Sequence, residues 1–252
     1  MVVNLATVSA TIHIHPTAEL APRVLLPGDP GRALLLAQAL LDTPKMFNHH
    51  RGLWGYTGAA ADGAPLTIQS TGMGGPSAAI VVSELIELGA RQFVRVGTCG
   101  ALDGSLSLGE LLIATAAIPD DGTSRALGAP TPVAADGGLV GHLRAAAGPE
   151  ASAGVVVSTD LFYDPRPGVE RGWHAEGAVA VEMETAALFT VAGRHEVAAA
   201  SVLIVSDLIE PARQRIGVEE LRDAEHRLGD LAARALARAG DAEGATPRTS
   251  PR

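Results

Sequence analysis

A single α/β domain, built on a central, mixed and largely buried β-sheet flanked by helices, is the fold class this sequence predicts. Three observations carry the prediction. Short β-rich apolar runs alternate with stretches of helical period along most of the 252 residues. The strand candidates are apolar on both faces, as a sheet covered by helices requires. A composition of 47% hydrophobic and 19% charged residues supplies the core of one such domain.

The elements follow in order. The run RVLL at 23–26 reads as a first strand, closed by the turn residues of PGDPG, and a helix is expected over 31–41. A strand at 66–70 leads into GMGG at 72–75, and Pro76 suits the first turn of a helix at 76–88, where its missing N–H costs nothing; Gly89 suits the stop. Strands at 92–96 and 110–117 come next, then a helix at 138–147 and strands at 154–157 and 178–181. A helix at 184–194, a very apolar strand at 198–205 and a helix at 219–239 complete the domain. Residues 1–239 are assigned to this one domain; 240–252, rich in Gly, Pro, Ser and Thr without an apolar period, are expected to be a disordered tail.

Composition also excludes some partners. The formal charge of -9, without a basic run, disfavours nucleic acid. The apolar stretch VAAASVLIV at 197–205 is far shorter than the roughly 20 residues that cross a bilayer, so no membrane partner is expected. A single cysteine, Cys99, and an N-terminus without basic or long apolar character point to a reducing cytoplasm. The histidines show no metal-ligand spacing, and no metal is expected.

Four strings carry the chemistry: LLPGDPGR at 25–32, VRVGTCG at 94–100, VEMET at 181–185 and VSDL at 205–208. Each stands where an apolar run stops, so each is expected in a loop at the carboxyl end of a strand, where α/β sheets bind ligands. Gly28, Gly31 and Arg32 lie at a helix start that favours anions. Arg95 stands before an expected glycine turn, in which Gly97, Thr98 and Gly100 bring donors close to a ligand. Each turn alone is also an ordinary tight turn; two, each with an arginine, suit a phosphate or carboxylate. Glu182 and Glu184, on either side of Met183, are either caps for the next helix or acceptors for sugar hydroxyls. Asp207 is a cap, an ion-pair partner or a general acid, the last requiring a pKa lifted above about 3.9.

Together with HRGLWGYTG at 50–58, STGMGGPSAA at 70–79 and DLFY at 160–163, these strings resemble the nucleoside phosphorylase family, which includes hexameric bacterial purine nucleoside phosphorylases and uridine phosphorylases. The resemblance spans roughly 12–239. It implies that Gly28, Arg32, Arg95 and Thr98 bind phosphate and that Arg51 reaches the phosphate of a neighbouring subunit. It likewise places Glu182, Met183 and Glu184 on the ribose and Phe162 against the base. A histidine near the N-terminus, His13 or His15, would reach a partner's ribose, and the I-H-I context favours His13. Asp207 would protonate the departing base, with Ser206 beside it as a base contact. An arginine would support the acid: Arg222 is the first choice, Arg213 and Arg215 the alternatives. Trp54 and Tyr56 are expected at a subunit interface.

The implied reaction is phosphorolysis, with inorganic phosphate as co-substrate and no resident cofactor, in a homo-oligomer whose sites are shared across a dimer, assembling as a hexamer. Two features favour purines over uridine. In PGVER at 167–171, Val169 stands where uridine enzymes carry a uracil-reading glutamine, although Arg171 remains; and Asp207 is present where pyrimidine enzymes lack an acid. Thr98, in place of the serine common among purine enzymes, points the other way. A uridine phosphorylase, a hydrolytic nucleosidase and a non-catalytic nucleoside-binding module are the other readings. The arginine pair argues against hydrolysis, which has no dianion to neutralise.

Overall fold

A computed structural model of the chain describes residues 11–210 and 212–244. Its centre is an eleven-stranded mixed sheet. The chain enters through β1 (Arg23–Leu26), α1 (Pro30–Leu40), the edge hairpin β2 (Asp42–Asn48) and β3 (Gly55–Ala59), then β4 (Pro65–Gln69) and α2 (Gly75–Glu87). Two ten-residue strands follow, β5 (Gln92–Ala101) and β6 (Leu111–Asp120), with α3 (Gly122–Ala126), the two-residue β7 (Val133–Ala134) and α4 (Gly137–Ala147). The rest is β8 (Ala151–Thr159), α5 (Val169–Ala175), β9 (Ala178–Glu182), α6 (Thr185–Arg194), β10 (Ala198–Leu208), β11 (Gln214–Arg215) and α7 (Val218–Gly244).

Half of the sheet closes on itself. β10 pairs in parallel with β5 and antiparallel with β6, β6 runs parallel to β8, β8 to β9, and β9 returns antiparallel to β5. These five strands form a ring, and β1, β4, β3 and β2 extend from β5 as an open wing. The crevice geometry expected of an open sheet therefore gives way to the mouth of a small distorted barrel, where strand interiors as well as strand ends face a ligand.

Alternation along the strands divides the core. Val24, Leu26, Phe93 and Leu203 face a cluster with Val81, Val82 and Leu85 of α2 and Leu188 and Phe189 of α6. Leu25, Val94, Val96 and Val202 face the opposite cluster, with Leu36 of α1, Leu139 and Leu143 of α4 and Leu228 and Leu231 of α7. Period-two alternation with apolar residues on both sides is what a doubly covered sheet demands. Tyr56 belongs to this second cluster and is only 8% exposed, so it packs inside its own protomer rather than at the expected subunit interface; Trp54 stays 39% exposed.

Helix starts follow local chemistry. Asp29 caps α1, accepting from the N–H of Gly31 at 3.1 Å and Arg32 at 2.9 Å. α7 buries Ala224, Leu228, Leu231, Ala235 and Leu236, a helical stripe. The expected tail boundary at 240 falls inside α7, which continues to Gly244. Residues 245–252 lie outside the described residues, as do 1–10.

Candidate active site

The four strings converge on one cavity of about 920 Å³, lined by Gly28, Arg32, Arg95, Thr98, Phe162, Glu182, Met183, Glu184, Ser206 and Asp207. A cavity of this size takes a ligand of nucleoside size. Two of the strings are not loops. Gly97, Thr98 and Gly100 lie within β5, because β10 pairs with that strand through Leu208 and Ala101. Likewise Ser206 and Asp207 lie within β10. There the register shifts between Val205, opposite Cys99, and Asp207, opposite Gly100, so Ser206 is the extra residue of a bulge. A bulge turns the side chains that follow it, and this one aims Asp207 into the cavity.

Arg95 is the hub. Its side chain lies on the same face of β5 as Gly97, and a Cβ at Gly97 would sit 2.7 Å from the Arg95 Cζ, so only glycine leaves room for the guanidinium. Nε donates to Glu182 at 3.0 Å and Nη2 pairs with Glu184 at 2.5 Å. Nη1 points toward the Gly28 turn, 3.9 Å from where a Gly28 Cβ would stand. Burial acts to lower the guanidinium pKa, but Glu184 and Glu182 outweigh it and leave it above its ordinary value.

The two glutamates divide their labour. The Glu182 carboxylate accepts from Arg95, from Ser158 Oγ, and from the backbone N–H of Glu184 and Thr185, both at 2.9 Å on Oε2. It is both a cap for α6 and a strut for Arg95. Glu184 accepts from the Gly74 N–H at 2.6 Å, and burial raises its carboxyl pKa against the pull of Arg95. A buried carboxyl held by a single arginine and one N–H gains most when further hydroxyl donors arrive.

The anion side differs from the expectation in one respect. The Asp29 carboxylate occupies the N–H groups of Gly31 and Arg32, so the α1 N-terminus is already satisfied. What remains for an anion is Gly28, Thr98 and the two guanidiniums. Arg32 in turn donates from Nε to Glu225 of α7 at 2.7 Å.

At the other end, the Ser206 hydroxyl donates to Asp207 Oδ2 at 2.8 Å. Arg213 brings Nε to 3.6 Å from Asp207 Oδ1 and lays its guanidinium 4.9 Å from the centre of the Phe162 ring. Arg222, the first choice to support the acid, does not line this cavity. It projects from α7 into a separate shallow groove beside Gly31 and Leu35, because the stripe that seats α7 turns that position away from β10. Arg215 stands opposite Asp207 across the β10–β11 pair. Phe162 is half exposed at the rim, with Tyr163 edge-on at 5.0 Å. Burial pushes the Cys99 thiol pKa well up, which keeps it an unreactive core residue.

His13, His15 and Arg51 do not line the cavity of their own protomer. Arg51 is exposed on a short turn with φ of 57°. Among residues the sequence reading missed, Ser158 supports Glu182, Glu225 supports Arg32 and Glu84 holds His13 through Nδ1 at 2.6 Å. Glu225 had a signal, a carboxylate between Leu221 and Leu228 on the buried side of a helix.

This arrangement, guanidiniums and a glycine turn at one end and carboxylates at the other, defines a nucleoside- or sugar-phosphate-handling α/β enzyme. The chain belongs to the phosphorylase superfamily, whose sequence profile matches residues 22–239. It is 38% identical over 205 residues to a purine nucleoside phosphorylase DeoD-type of Jannaschia sp. (strain CCS1), covering 78% of this chain and 87% of that protein. A purine nucleoside phosphorylase DeoD-type of Geobacillus kaustophilus is 39% identical over 206 residues, 79% and 86% of the two chains. Among solved structures, uridine phosphorylase from Vibrio fischeri ES114, complexed with 6-hydroxy-1-naphthoic acid, superposes with a TM-score of 0.79 at 29% identity, covering 87% of this chain and 92% of that one.

Proposed function

We propose that the protein catalyses reversible phosphorolysis of purine (deoxy)ribonucleosides to the free base and a (deoxy)ribose 1-phosphate. The observation that carries the reading is Asp207, buried at the base end of the cavity beyond the bulge and flanked by Ser206 and Arg213. The relatives named purine nucleoside phosphorylase support it.

Phosphate enters beneath C1′, held by Gly28, Thr98, Arg32 and Arg95 Nη1. The C1′–N9 bond breaks, positive charge builds on the sugar, and the adjacent phosphate stabilises it and then bonds to C1′. Glu184 accepts the ribose hydroxyls, Met183 packs on the sugar and Glu182 keeps Arg95 in place. The electron pair of the broken bond passes into the purine, and Asp207 delivers a proton to N7 so that the base leaves neutral. Phe162 stacks on the base. The cycle needs no resident cofactor.

His13 and Arg51 act on the partner's site, which makes the dimer the functional unit; three such dimers form a hexamer. A nucleoside-salvage role in the cytoplasm fits this transferase chemistry, and among the described residues no helix is long and apolar enough to cross a membrane.

The likeness to uridine phosphorylase favours a second, pyrimidine reading. Against it, Val169 and Arg171 do not line the cavity, and the Arg171 guanidinium folds back on Gly168. Turnover of inosine, adenosine, guanosine and uridine, each with and without phosphate, separates the readings. Phosphate-dependent purine cleavage is expected. Uridine as the best substrate would reverse the base assignment, and cleavage without phosphate would make the enzyme a nucleosidase.

A further inference from the structure

We infer that Glu84 of α2 is the positioning residue that fixes the His13 ring for its contact with a ribose 5′-hydroxyl; the inference rests on the role of His13 proposed above. The Glu84 carboxylate gathers a whole segment of chain. Oε1 accepts from the Ile12 N–H at 3.2 Å, Oε2 from the Ile14 N–H at 2.7 Å, and the His13 N–H lies between them at 3.1 and 3.0 Å. His13 Nδ1 lies 2.6 Å from Oε1.

An ionised carboxylate only accepts hydrogen bonds, so this contact places a proton on Nδ1 and leaves Nε2 as the ring nitrogen for a ligand. Burial acts to raise the Glu84 pKa, but the bonds from His13 and Ile14 outweigh it and hold the carboxyl below its ordinary value. His15 is committed differently. Its ring stacks on His50 at 3.8 Å and its Nε2 bonds to the Ile12 carbonyl at 3.1 Å.

The helix that carries Glu84 adds a second observation. At its other end the Gly74 N–H, next to the first residue of α2, bonds to Glu184 in the cavity. One rigid rod, spanning about 15 Å between these points, therefore holds a sugar-site carboxylate of its own protomer and the histidine offered to a neighbour. Glu84 lies among Val81, Val82 and Leu85, whose burial fixes the helix in place.

The experiment compares kcat/KM for inosine and 5′-deoxyinosine in the wild type, Glu84→Gln, Glu84→Asp, His13→Ala and the Glu84→Gln/His13→Ala double variant. The wild type should prefer inosine by on the order of tenfold, one hydrogen bond's worth. His13→Ala should abolish that preference. Glu84→Gln should abolish most of it while leaving 5′-deoxyinosine turnover within about twofold; the double variant should match His13→Ala, and Glu84→Asp should regain part. Equal losses on both substrates would mean that Glu84 is merely structural, and the inference falls. If His13→Ala removes the preference and Glu84→Gln does not, the inference fails while the His13 reading stands. An intact preference in His13→Ala sinks both. Nitrogen NMR of the folded wild type provides a check that needs no variant: the ring proton should sit on Nδ1, and an Nε2-protonated neutral ring would overturn the inference.

Discussion

Asp207 faces the cavity from beyond the bulge that Ser206 makes in β10, and the Ser206 hydroxyl holds one of its carboxylate oxygens, the placement the proposed general acid needs. Asp207→Ala should therefore lower kcat on inosine by roughly 10²–10⁴ while leaving nucleoside binding within a few-fold, as steady-state kinetics and equilibrium titration will read. A parallel drop in affinity would assign the residue to binding. Gly97 makes a sharper test of Arg95. The Cβ of Gly97→Ala would meet the guanidinium at 2.7 Å and Leu203 at 3.0 Å, and the guanidinium is pinned by two carboxylates. The expected result is a rise of at least tenfold in the KM for phosphate with the fold intact by circular dichroism; an unchanged phosphate KM would remove Arg95 from the anion site. Acid stability tests the bonds at Glu84. With its folded pKa below the ordinary 4.5, the unfolded chain binds more protons in that interval. Its contribution is complete above 4.5 and fades as pH falls through the folded value, so Glu84→Gln should flatten the acid limb of the stability curve below that pH. A wild-type acid limb with the same slope as the variant's would count against these bonds. At this scale the residue types in the cavity were readable from their strings, whereas Arg213 and Arg222 could not be separated, because that choice depends on which way α7 turns.

Elements explain where sequence reading stops. Strands β1, β4 and β9 stand close to their expected bounds because each is a compact apolar run ended by turn residues, whereas β8, expected at 154–157, extends at both ends to Ala151–Thr159. β5 and β10 run several residues beyond theirs. Glycine, threonine, serine and aspartate read as turn signals, yet in these strands pairing between two long neighbours keeps the backbone extended and the small residues make room for Arg95 and for the bulge. The hairpin partner β2 is exposed over its first five residues, so it carries no apolar pattern to find. α3 and α5 are five and seven residues long, too short for a period to show. α7 is the opposite case, with a stripe that is plain in the sequence and central to the fold. Leu228, fully buried within it, packs in the cluster that backs β5 and β10. Leu228→Ala should cost about 2–5 kcal/mol in denaturant unfolding. A cost below about 1 kcal/mol would mean that α7 is held by contacts other than this stripe.

The ring of five strands and its open wing divide the molecule into a cavity and a face that points away from it. Arg32, Arg95, Glu182, Glu184 and Asp207 gather at the ring, while Arg51 sits on the turn between the wing's outer strands, outside the cavity of its own protomer. Charge makes that separation meaningful. The two arginines at the anion end of the cavity are already matched by glutamates, Arg95 by Glu182 and Glu184 and Arg32 by Glu225, so a phosphate dianion gains from a further cation. If Arg51 supplies it to a neighbour, two crippled proteins should rescue one another. Arg51→Ala and Asp207→Ala homo-oligomers should each be nearly inactive. Co-refolded in equal amounts, half of randomly paired dimers are mixed, and each mixed dimer holds one site with Asp207 from one protomer and Arg51 from the other. Activity should then return to about a quarter of the wild-type level per site. An arginine serving its own cavity gives no such recovery, since no mixed site would hold both residues, and the shared-site reading would be lost.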